Sequence, residues 1–134
     1  MNHVLRSDTA RRIVLILPAL AFLRVAVGAL VAPQTMASQF HLRLDHVDAL
    51  NEYRAVYVGL WLAQAVIFGW AVRDVRRVWL GDLGALLVLG QVVGRLVSFV
   101  LDGLPSAQVW PTFAAELVAG VALIVVRPAS PTRT

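Results

Sequence analysis

"VWLGDLGALLVLGQVVGRLVSFVLDG", residues 78–103, is apolar for long enough to cross a bilayer, yet it holds Arg95 and Asp102 toward one end. About 20 apolar residues span the roughly 30 Å hydrocarbon layer. A charge near the centre of such a helix costs about 2.5 to 3.5 kcal/mol on insertion scales. The segment therefore states a location and poses a question: what do the charges face?

Three further runs of the same kind occur, so the spans are 13–32, 53–72, 78–101 and 109–126. The backbone inside lipid is satisfied only by helices or closed barrels, and these continuous runs lack the alternation of barrel strands. The fold expected is an all-α integral membrane four-helix bundle, one domain over 1–134, with short loops except the first outer loop, "PQTMASQFHLRLDHVDALNE". Within that loop "FHLRLDHVDAL" reads as a short amphipathic helix lying on the outer surface.

Composition agrees: 59% of the residues are hydrophobic, far above a soluble domain. The net charge of +4 would point to nucleic acid in a soluble chain. Here the arginines flank apolar segments, where they are topology signals, so nucleic acid is discarded as a partner. The absence of cysteine excludes disulfides and thiolate metal sites. His41, Asp45, His46 and Asp48 match no compact zinc pattern, so neither metal nor cofactor is expected.

Arg6, Arg11 and Arg12 precede the first span, Arg73, Arg76 and Arg77 separate the second from the third, and Arg127 and Arg133 follow the fourth. The positive-inside rule then puts both termini in the cytoplasm of a bacterial cell, with the protein in the inner membrane. The first span is too long for a signal sequence and is interrupted by Arg24.

At 100° per residue, Gln91, Arg95, Ser98 and Asp102 lie on one face of the third helix. By helical rise Arg24, Arg95 and Glu116 each lie about 9 to 12 Å below the outer ends of their helices. Three helices thus put a charge in one layer, and pairing in the bundle interior is the economical solution: Arg24 with Glu116, and Arg95 with Asp102 or Glu52. Gln64 and Gln91 form a floor beneath it. Arg54, Tyr57, Trp61, Gln64 and Phe68 share a stripe on the second helix, which gives the site an aromatic wall.

"NEYRAVYVGLWLA" and "GRLVSFVLDGLP", followed by Glu116 in the last span, resemble a family of small four-helix bacterial membrane proteins known as domain of unknown function 4345, itself broadly similar to DoxX-like proteins. The resemblance covers nearly the whole chain and departs from the family pattern at Val58, where a glycine is usual. It implies the fold, the membrane location and a set of polar positions (Glu52, Arg54, Tyr57, Arg95, Asp102 and Glu116 among them). It implies no reaction.

Function divides into three classes. The first is a binding or accessory protein whose arginines hold a lipid-like or anionic small molecule, or a membrane-protein partner, in the outer half of the bundle. The second is a small membrane enzyme acting on a lipidic substrate, with Glu116 or Asp102 as acid or base. The third is a transporter, which the lack of a charge ladder toward the cytoplasmic side disfavours.

Overall fold

A computed structural model describes residues 7–128 of the chain. Met1, Arg6, Arg133 and Thr134, which carry part of the topology reading, lie outside the described residues. The elements are α1 (Asp8–Val31), α2 (Pro33–Ser38), α3 (Val47–Arg54), a π-helical turn (Ala55–Leu60), α4 (Trp61–Arg73), α5 (Val78–Leu101) and α6 (Val109–Val125). Helix α1, the continuous rod Val47–Arg73 and α5 are long and apolar enough to cross a membrane, which marks this as a membrane protein. The apolar α6 is shorter, about 26 Å by helical rise.

Local chemistry sets the ends of these rods. Ser7 caps α1, its hydroxyl accepting from the Ala10 N–H at 3.1 Å. The helix stops at Val31 because Ala32 precedes Pro33 and is pushed out of helical geometry. Pro33 then starts α2, where its missing N–H is not needed. His46 caps α3 through Nδ1, which accepts from the Asp48 N–H at 3.2 Å. The loop between the first two spans therefore differs from expectation. Residues 40–46 are turn and extended chain rather than an amphipathic helix, and helical structure resumes at Val47, running straight into the second span. The six-residue α2 folds back over this end, packing Ala37 with Ala29 and Tyr53.

Helix α1 packs mainly on α4, and α5 on α6; α4 against α5 joins the two pairs, and α1 against α6 is the slightest of these four interfaces. The core at the centre is Leu15, Phe22, Phe68, Ala71, Leu80, Ala85, Val88 and Leu123. Gly84 allows α5 to close on α4, since a Cβ there would stand 2.6 Å from the Phe68 ring. Gly120 similarly lets α6 settle on Leu89 of α5. Around this small core the surface is apolar: Leu17, Leu20, Leu23, Val27 and Leu30 of α1, Leu86, Val93, Val97 and Val100 of α5, and Val118, Val121 and Ile124 of α6 are exposed. Such a surface suits lipid.

The basic end is tied together by the arginines that flank the helices. Arg11 is buried, 3% exposed, and donates to the Val126 carbonyl at 3.5 Å and the Val78 carbonyl at 3.4 Å. Arg12 donates to the Val72 carbonyl at 2.9 Å. Two consecutive residues at the start of α1 thereby reach carbonyls of three other helices, those of Val72 and Val126 lying at the C-terminal ends of α4 and α6, where carbonyls lack intrahelical partners. Arg127 grips Asp82 of α5 with both arms of its fork, at 2.9 and 3.0 Å. That hydrogen bonding, together with the charge of Asp82, pushes the Arg127 guanidinium above its ordinary range.

Candidate functional site

The interior of the opposite half is organised by one ion pair. Arg95 of α5 donates Nε–H to Glu116 Oε2 at 2.7 Å and Nη2–H to Oε1 at 2.9 Å. Both residues sit about 9 to 10 Å from the ends of their helices, so antiparallel neighbours bring them level. Their side chains are 24% and 10% exposed. The fork geometry makes this the strong, orientation-specific kind of hydrogen bond.

One helical turn below, the Gln91 amide donates to Gln64 Oε1 at 3.2 Å, linking α5 to α4. Tyr57 belongs to a ladder of rings, Tyr53 on Tyr57 at 4.4 Å, Tyr57 on Trp61 at 5.2 Å, Trp61 on Phe22 at 5.6 Å and Phe22 on Phe68 at 5.8 Å. The π turn sets this register. Its wider winding brings Tyr53 into line with Tyr57 and leaves Arg54 exposed, so the residue heading the aromatic wall is Tyr53, not Arg54.

Several expected partners differ. Arg24 does not meet Glu116, and Arg95 meets neither Asp102 nor Glu52. Arg24 is exposed and has no carboxylate within salt-bridge distance among the described residues. Depth does not decide direction: Arg24 lies about 170° around α1 from the centre of the buried stripe formed by Leu15, Phe22, Ala26 and Ala29. Asp102 is exposed and accepts from the Ser98 hydroxyl at 2.9 Å. Glu52 and Arg54 are exposed on α3. The residues drawn together inside are thus Tyr57, Trp61, Gln64, Gln91, Arg95 and Glu116; Arg24, Glu52, Arg54 and Asp102 lie at the periphery.

Beside the pair runs a feature that sequence reasoning missed. A groove of about 430 Å³ lies between α1 and α6. Val14, Leu17, Pro18, Ala21 and Val25 form one wall, Ala115, Ala119 and Ala122 the other, and Trp61 and Val88 the back. Glu116 and Thr112 are the polar side chains on its lining, both toward the end away from Arg11. The signal for it was the recurrence of alanine at 115, 119 and 122 along the last span.

A family described as domain of unknown function (DUF4345) matches residues 10–127, nearly the whole chain. The chain belongs to this family. Membership covers every element above, from Arg11 at the basic end to the Arg127–Asp82 pair, and carries no reaction with it. No curated protein and no solved structure matches the chain.

Proposed function

We propose that this family member is a binding or accessory protein of the bacterial inner membrane that takes a lipid-like or anionic ligand at the polar layer in the outer half of its bundle. The observation that carries this reading is the state of Arg95. Its guanidinium has five N–H donors; two are held by Glu116, and the other three have no acceptor among the described residues, though a quarter of the side chain is exposed. A cation oriented by one carboxylate and still rich in donors is suited to a second anion, such as a phosphate or carboxylate.

Against an enzyme, both Glu116 oxygens are engaged by Arg95, which leaves a poor proton carrier. Asp102, the other candidate acid, is exposed beside Ser98 and away from the ion pair. Against a transporter, the chain below Gln64 and Gln91 continues as the apolar core of Phe68, Val88 and Leu15.

The test is thermal unfolding in dodecyl maltoside, with and without phosphatidylglycerol, of the wild type and Arg95→Lys. Lysine keeps a charge for Glu116 but loses the planar fork. The wild type should gain about 2.7 kcal/mol from lipid at 100 times its Kd, and Arg95→Lys should stay folded and gain little. Equal gains in both proteins would refute the reading.

A further inference from the structure

The groove between α1 and α6 and the exposed Arg24 belong to one device. We propose that the groove takes an acyl chain of an anionic phospholipid from within the membrane, and that Arg24 holds the lipid's phosphate. This rests on the lipid-binding reading above for the class of ligand and adds a lateral site at which Arg24, rather than Arg95, meets the phosphate.

The walls have the right dimensions. From Val14 to Val25 along α1 is about 17 Å, and from Thr112 to Ala122 along α6 about 15 Å; one leaflet of the hydrocarbon layer is about 15 Å deep. The volume, about 430 Å³, falls within the range of small-molecule sites. The lining is alkyl and aromatic apart from Thr112 and Glu116 at one end. Leu17 and Val118 at its rims are 62% and 68% exposed, so the groove opens sideways toward lipid. It exists because each helix pair closes on itself, α1 on α4 and α6 on α5, while Ala21, Ala115 and Ala119 leave too little side chain to fill the space between them.

Charge selects the occupant. Arg24 falls within about 20° of Leu17 around α1, on the flank of the groove wall, and adjoins Val25 at the groove's outer end. Among its exposed neighbours are Leu17, Leu20, Leu23 and Val27, so it faces lipid. A lipid-facing arginine is costly unless it is paired, and its long side chain lets the guanidinium rise toward the interface. The anion present at that place is a headgroup phosphate. A second transmembrane helix would fill the groove with side chains and leave this cation unanswered.

The experiment uses a full-length protein in which Trp61 is the sole tryptophan, the exposed Trp70, Trp79 and Trp110 being replaced by phenylalanine. Phosphatidylglycerol with brominated chains is titrated into dodecyl maltoside micelles, with phosphatidylcholine of the same chains as the comparison. Bromine within contact distance quenches Trp61 at the back of the groove. The expected result is saturable quenching by phosphatidylglycerol, at least about tenfold stronger than by phosphatidylcholine, which is the effect of one or two charge-assisted hydrogen bonds.

Arg24→Gln should abolish that preference. Ala115→Phe and Ala21→Phe, at exposed positions on opposite walls, should each remove saturable quenching while circular dichroism melts show a folded protein. Undiminished quenching in both filled variants overturns the groove assignment, and equal quenching by the two lipids in the wild type overturns the role of Arg24. Absence of quenching with a dimeric protein gives the groove to a second copy of the chain and also overturns it. A phosphatidylglycerol-induced rise in melting temperature that survives groove filling leaves the Arg95 reading standing and sinks this one; no rise in the wild type sinks both.

Discussion

The Arg95–Glu116 pair makes a quantitative claim that a double-mutant cycle with leucine can check. In Arg95→Leu the Glu116 carboxylate, with a side chain only 10% exposed, loses both hydrogen bonds and its counter-charge; breaking a buried pair this way costs about 3 to 5 kcal/mol. In Glu116→Leu the stranded arginine is more exposed, at 24%, and can turn toward solvent or headgroups, so the loss should fall near or below about 3 kcal/mol. Replacing both by leucine removes the desolvated charges together, and such replacements run from neutral to stabilising. The double variant should therefore be more stable than either single one, with a coupling energy of about 3 kcal/mol or more. Reversible unfolding in mixed dodecyl maltoside and dodecyl sulfate micelles, followed by circular dichroism, gives the three differences. Losses that add to within about 0.5 kcal/mol, as they do for sites without contact, would refute the pairing.

Gly84→Ala should destabilise by about 1 to 3 kcal/mol in the same assay, because its Cβ would enter the Phe68 ring. Gly69→Ala, with nothing within 4 Å, should be neutral or stabilising by up to about 1 kcal/mol. Asp82→Asn at the half-exposed basic-end pair should cost no more than about 1 kcal/mol, whereas Arg11→Ala should cost more, since the Val126 carbonyl at the end of α6 loses its buried donor. Single cysteines placed in a chain that has none should be labelled from outside intact cells at His41 and Gln108 and protected at Arg76. Labelling at Arg76 from outside would invert the whole orientation.

The rods were legible because lipid imposes a length and a composition on any helix that crosses it; Val78–Leu101 coincides with its expected span. The polar layer was legible in depth, since rise per residue is fixed: Arg95 and Glu116 were placed level and are joined. Direction around the helix was less legible. On α1 the apolar residues run nearly all round, so no single face announces itself as buried, and Arg24 could be turned inward on paper. Only the packing of α1, which buries Leu15 and Phe22 against α4 and Ala29 under α2 and Tyr53, decides that it faces out. The π turn was beyond reach for a different reason. Nothing in "AVYVGL" separates it from ordinary helix, and its effect, moving Tyr53 into the ladder at the expense of Arg54, is a shift of one residue per turn.

Arg24 and Arg95 are the same side chain at nearly the same depth, and their environments lead to opposite chemistry. Arg95 is neutralised by a carboxylate from the neighbouring helix and kept in one orientation by it. Arg24, among exposed leucines and valines, has only what the membrane brings. A structural network alone would have little use for the second arginine, because an unpaired cation facing lipid lowers stability and joins no helices. Its position on the flank of a groove whose far wall carries Glu116 gives it a role that helix packing does not. A phosphate drawn to Arg24 would be centred at the outer end of the groove, and Glu116, already committed to Arg95, would repel it less than a free carboxylate would. On this view the buried pair does two things: it holds α5 to α6, and it lets an anion approach a wall that contains an acid.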